Sequence, residues 1–221
     1  MITRSISPTS DPRPPTPSLP APRAPAEQRR EDILRAAFAV AARERLGGVS
    51  ARAVAAEAGV SAGLVFFYFA SIDQLLVALL DWLLARTIAA TDFANRLADV
   101  ADPAARIMLA IRRDVAWLPK QRERVELFFD YWVLGTRHPA IRRAIRHALD
   151  QYRDSFRPLA ESLVSSDAER YAGMSAEGLA SVAASFVEGC ALQIVMDPSQ
   201  FDVERSMATL ASLVRAPAAV A

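Results

Sequence analysis

Ser50, Arg52, Ser61 and Tyr68 are the polar groups best placed for chemistry in one short stretch, SARAVAAEAGVSAGLVFFYF, built mostly of small and apolar residues. Hydroxyls at the starts of two short helices, with an arginine in a first turn, make an anion-binding pattern. A helix N-terminus offers free N–H groups and the positive end of its dipole to a phosphate. Other chemistry finds no constellation. His138 and His147 are nine residues apart, not at the i, i+4 spacing of a metal pair; they read as a helix cap and a solvated side chain. Cys190 has no base near it in sequence and lies in an apolar helical pattern, where a packed thiol is the expected state. No glycine-rich loop follows a strand pattern. The sequence therefore predicts no catalytic residue, no metal site and no cofactor.

The elements that must position these groups are short helices. Ser50 caps the first, whose apolar face is Val54, Ala55 and Ala58. Gly59 then stops it in the positive-φ region that glycine tolerates without a Cβ clash. Val60 plugs the turn, and Ser61 caps the second helix. Upstream, RREDILRAAFAVAARERLGG is amphipathic, with Ile33, Leu34, Ala37, Phe38 and Ala41 on one face and an end at Gly47 and Gly48. Downstream, Ser71 and Gln74 form a capping box for the next helix. Helix, glycine turn and second helix is the layout of a helix-turn-helix, whose second helix enters the DNA major groove.

Residues 29–76 resemble the N-terminal domain of TetR-type transcriptional regulators. The residues that carry the resemblance are Val54-Ala55, Ala58-Gly59-Val60-Ser61, Gly63, Phe66, Tyr68-Phe69, Ser71 and Leu75. The resemblance implies a regulator that binds a palindromic double-stranded DNA operator as a homodimer. The DNA contacts would come from Ser50, Arg52, Ser61, Ala62, Gly63, Leu64, Phe66, Phe67 and Tyr68. Two positions depart from the family: its tyrosine falls at Phe66 and its lysine at Ile72, which removes a hydroxyl and a charge from the phosphate side. Base readout would then lean on Ser61, on Arg52 and on apolar contact of Ala62 or Leu64 with thymine methyls. The apolar second helix keeps a rival open, a helical dimer with a degenerate helix-turn-helix that acts without DNA.

Composition fits an all-α protein. The 221 residues are 52% hydrophobic with only 8 glycines, and the net charge of +1 neither favours nor excludes nucleic acid. The single cysteine excludes an internal disulfide framework and points to the cytoplasm. No uninterrupted apolar run has the length of a membrane span. Residues 1–25 hold eight of the 14 prolines and read as a disordered or extended arm. Its Arg13 and Arg23 can lie in a minor groove or belong to an inert tail. The expected organisation is this arm, a helix-turn-helix domain over 26–75, a helical ligand-binding and dimerisation domain over 76–216, and a tail over 217–221.

Beyond Ser71 every segment has helical periodicity, with a break or kink expected at Pro158. Trp82, Trp117, Phe128, Tyr131, Trp132 and Tyr152, joined by Phe93, Met108 and Phe156, can enclose an apolar cavity; ordinary core is the competing reading for each. Asp130 and Glu188 lie among apolar positions and can face a cationic or hydroxylated ligand. The resemblance implies that such a cavity takes a small-molecule effector, apolar or amphipathic, and that the last two helices pair two copies. Val182, Phe186, Cys190, Ile194, Met207, Leu210 and Val214 are the expected interface.

Overall fold

The first helix, α1 (Ala26–Gly48), buries Ile33, Leu34, Ala36, Ala37, Val40 and Ala41 along one stripe. Near its end Arg45 leaves helical geometry at φ 63°, ψ 176°, a region otherwise almost restricted to glycine. These features come from a computed structural model that describes residues 26–90 and 93–215, excepting the side chains of 88–94. The proline-rich segment with Arg13 and Arg23, the 217–221 tail and the Phe93 side chain lie outside the described residues.

Helices α2 (Ala51–Ala58), α3 (Ala62–Tyr68) and α4 (Ile72–Ala90) follow. Each start has a side-chain cap: the Oγ of Ser50 accepts from Ala53 N–H, that of Ser61 from Leu64 N–H, and that of Ser71 from Gln74 N–H, each at 3.2 Å. Gln74 Oε1 reaches back to the Ala70 N–H, one residue before the expected partner. Gly59 sits at φ 65°, ψ 35°, and its N–H bonds back to α2. Val54, Ala55, Val65 and Phe69 close a first core against α1 and α4, joined by Leu127, Tyr131 and Ile141 from later in the chain.

Next come α5 (Phe93–Arg96), α6 (Pro103–Trp117), a 3-10 turn over Leu118–Gln121, α7 (Arg122–Gly135) and α8 (Pro139–Ser166). The chain ends in α9 (Ala176–Met196) and α10 (Val203–Arg215). Asp102 caps α6 ahead of Pro103, and Asp202 Oδ1 accepts from Arg205 N–H at the start of α10. Helix α8 runs through Pro158 without a break; the buried Phe156, Leu159, Ala160 and Leu163 around the proline hold the helix to the second core, which outweighs one lost backbone bond. Helices α6, α8, α9 and α10 build that core around Ile107, Ile111, Phe156 and Val187. Among the described residues there is no strand.

Helix α4 belongs to both halves. Its leucines 75, 76, 79, 80 and 83 are buried in the first core, and Leu80, Leu84 and Thr87 also border a cavity. Helix α9 is long and apolar enough to cross a membrane by composition, but Ala180, Ala183, Ala184, Val187 and Cys190 are packed into the second core.

Candidate functional site

Helices α2 and α3 cross at 105°, within the range of a helix-turn-helix. Val65 points inward and is buried, with Phe69 at the C-cap beside it. The opposite side of α3 is open: Ser61, Gly63, Phe66 and Phe67 are exposed, Phe67 at 79%. Ala62, Leu64 and Tyr68 are half-buried at its edges, and the Tyr68 ring meets Phe67 edge-on at 5.3 Å. Ser50 and Arg52 are exposed beside this face.

Gly63 is the most telling residue of the helix. A Cβ there would meet only Ser61 Oγ, at 3.9 Å, an ordinary contact. Nothing within the chain fills the space over Gly63, so the surface of α3 is low there. The serine hydroxyls accept amide protons as caps, which leaves each O–H free to donate to a phosphate. Arg52 has no acid partner among the described residues, whereas Arg43 bonds Glu57 and Glu44.

A partly enclosed cavity of about 140 Å³ lies between α4, α6, α7, α8 and α9. Trp117, Phe128, Tyr131, Trp132 and Tyr152 line it, as expected from the aromatic pattern, and Phe129 joins them. Trp82 does not. Its Nε1–H donates to Glu31 Oε2 at 2.8 Å, Arg86 stacks on its ring at 4.0 Å, and Phe38 packs beside it. The tryptophan therefore ties α4 to α1. Met108 and Phe156 belong to the second core.

The polar lining was only half legible. Glu188 borders the cavity, but Asp130 points away and bonds Arg45 at 2.7 Å. Asp114, Gln121 and Arg124 were missed. Asp114 was detectable, because it lies between Ile111 and Val115 on the buried stripe of α6. The Tyr152 hydroxyl donates to Asp114 Oδ2. Burial holds the Asp114 carboxyl above its ordinary range, the tyrosine bond opposing this. Burial likewise raises Glu188, with Arg153 opposing, and pushes the Cys190 thiol up to about 11. A thiol that hard to ionise is a packing group. His138 occupies the N-cap position of α8 without capping it; its Nε2 instead pairs with Asp73 at 3.2 Å.

Most of the residues expected to pair two copies pack within the single chain. Cys190, Met207 and Leu210 are buried in the chain's own second core, and Phe186, Ile194 and Val214 are packed against it. Of the seven, Val182 is the exposed one, at 55%. The open stripe of α9 runs through Val182, Ser185, Gly189, Leu192 and Met196, at the alternating three- and four-residue spacing of a single helix face.

These features meet in one set of known proteins. The description "BetI-type transcriptional repressor, C-terminal" matches residues 103–218, and "Bacterial regulatory proteins, tetR family" matches residues 33–79. The chain belongs to the TetR family. It is a transcriptional regulator with a helix-turn-helix reading head, of a family that binds DNA and small-molecule effectors, typically as dimers. Among solved structures, a TetR transcription regulator from Haloarcula marismortui is similar over 85% of this chain and 96% of its own, at 20% identity and a TM-score of 0.68. FadR from Bacillus subtilis, solved with stearoyl-CoA, is 17% identical over 83% of this chain and 96% of its own, TM-score 0.67. A Saccharomonospora viridis protein solved with choline is 20% identical over 85% and 96%, TM-score 0.65. At these identities the likeness is one of fold. No curated protein matches the chain.

Proposed function

We propose that this TetR-family chain is a cytoplasmic repressor. It binds a palindromic operator as a homodimer and leaves it when a small apolar or amphipathic molecule fills the aromatic cavity. In this reading residues 26–75 are the DNA-binding unit and 76–216 the sensing and pairing unit. The observation that carries it is the open face of α3, presented by two capped helices and kept low at Gly63. Ser50, Ser61 and Arg52 take phosphates or a guanine edge. Leu64, Phe66 and Phe67 offer apolar surface to thymine methyls.

The cavity is linked to α4 and α1, whose core the helix-turn-helix shares. Tyr131 lines it and donates its hydroxyl to the Leu76 carbonyl of α4 at 2.9 Å. Helix α7, which carries Phe128, Phe129 and Trp132, holds Arg45 of α1 through Glu126 and Asp130. An effector that prefers a different spacing of α4 and α7 thereby shifts the two heads from half-sites about 34 Å apart or a multiple of that. Pairing uses the exposed stripe of α9, to which Leu213 of α10 adds apolar area. The two ligand-bound neighbours support an effector role, and their ligands, an acyl-CoA and choline, share no chemistry. This chain's own lining must therefore set its choice.

The rival reading, a dimer that no longer binds DNA, draws on the exposed Phe66 and Phe67, which also suit a protein contact. Gly63→Ala separates the two. An added methyl in the groove should weaken binding to the chain's own upstream DNA at least tenfold, while the dimer persists. Unchanged DNA affinity would refute the groove placement.

A further inference from the structure

We propose that α3 tells one base pair from another by the C5 methyl group of its pyrimidine, so that this chain reads 5-methylcytosine as it reads thymine and loses affinity on cytosine and uracil. The proposal rests on the reading of α3 as the groove helix and adds the chemical group it recognises.

Readout of base edges by paired hydrogen bonds uses arginine or lysine on guanine, asparagine or glutamine on adenine, and aspartate or glutamate on cytosine. From Ser61 to Tyr68 the chain holds none of these six residue types. Two hydroxyls remain. That of Ser61 already accepts the Leu64 N–H, and the proton it has left to give suits the acceptors that every base pair shows in the major groove. Tyr68 is half-buried at the far end of the helix, its ring edge-on to Phe67. Arg52 stands on α2, the helix that crosses the backbone in this motif, where its fork meets phosphate.

What α3 does present is apolar shape. Phe67 is the most exposed large apolar side chain of the described residues, and Phe66 is exposed beside it. Gly63 precedes them by three and four places, on the same side of the helix. A Cβ on Gly63 would have only Ser61 Oγ within 4 Å, so the surface dips on the side that carries the two rings. Apolar rings held in water gain by covering another apolar group. In the major groove that group is the methyl on C5 of thymine, whereas cytosine shows an amino group and a bare C5. 5-Methylcytosine bears the same methyl on the same ring carbon. Each methyl taken from water is worth about fourfold in affinity, so two methyls under each of two heads give a factor on the order of two hundred.

The test is fluorescence anisotropy of the full chain, at one salt concentration, on duplexes copied from the region upstream of its own coding sequence. One duplex carries thymine throughout and the second carries deoxyuridine in its place. The uracil duplex should bind at least tenfold more weakly. Phe67→Ala, a change on the surface of the fold, should shrink the thymine-to-uracil ratio at least threefold. At the position where a single uracil costs most, 5-methylcytosine opposite guanine should bind within about threefold of thymine opposite adenine. Plain cytosine there should bind at least threefold more weakly than 5-methylcytosine. Equal affinity for the thymine and uracil duplexes overturns methyl readout and leaves DNA binding standing. A uracil loss that survives Phe67→Ala unchanged overturns the assignment to α3, and 5-methylcytosine as weak as cytosine overturns the exchange. A thymine duplex that does not bind overturns the groove reading and the proposal together.

Discussion

Replacing Arg45 by glycine and by alanine should give stabilities in the reverse of the usual helical order. The residue sits at φ 63°, ψ 176°, where a side chain costs about 1–3 kcal/mol and glycine little. Its guanidinium bonds Asp130 at 2.7 Å and Glu126 at 3.3 Å while half exposed, and each such pair contributes about 0–1 kcal/mol. Arg45→Ala keeps the strain and loses both pairs, a cost of about 0–2 kcal/mol. Arg45→Gly loses the same pairs but releases the strain, less about 0.5–1 kcal/mol of extra backbone entropy. Glycine should therefore exceed alanine by about 1–2 kcal/mol in urea unfolding at an unchanged m-value. In an ordinary helix interior glycine is about 1 kcal/mol the worse. Alanine equal to or above glycine would refute the strained clasp between α1 and α7. Both variants should also respond less to effector, because each cuts the same link.

Other perturbations have equally definite outcomes. Phe67→Ala, at a position 79% exposed, should leave stability within about 0.5 kcal/mol and lower operator affinity in an anisotropy titration. Ser61→Ala removes the cap on Leu64 N–H and should cost about 1 kcal/mol together with DNA affinity. Tyr131→Phe deletes a buried hydrogen bond to Leu76 and should lower stability by about 1 kcal/mol, with a weaker effector response in a DNA-release assay. Glu31 has its pKa lowered, first by the Arg86 hydrogen bond. A depressed acid stabilises above its unfolded value of 4.5 and loses that contribution as pH falls through the lower folded value. Glu31→Gln should therefore lower the melting temperature at pH 7, and the gap to the parent should close below pH 4.5.

The reading head was legible because its constraints are local. A cap needs a hydroxyl, a left-handed turn needs Gly59, and a buried stripe needs apolar residues every third or fourth place; each sits in the sequence where the fold uses it. The cavity was less legible. Trp82 and Trp117 look alike in sequence, and only the packing of α4 on α1 sends one to Glu31 and the other to the cavity. Asp130 and Asp114 were exchanged for a related reason, since a carboxylate amid apolar positions can turn to either side of its helix. Which face of α9 stays open was hard to read because α9 is apolar over most of its length. Hydrophobicity there does not separate Cys190, facing inward, from Leu192, facing out; tertiary contacts alone decide it.

The central claim is that two copies of α3 read the DNA. Its most direct test is a salt titration of anisotropy on a duplex from the region upstream of the coding sequence. Saturable binding, with log K falling linearly on log salt at a slope of several phosphate contacts, is the predicted result. Absence of saturable binding at low salt would contradict it.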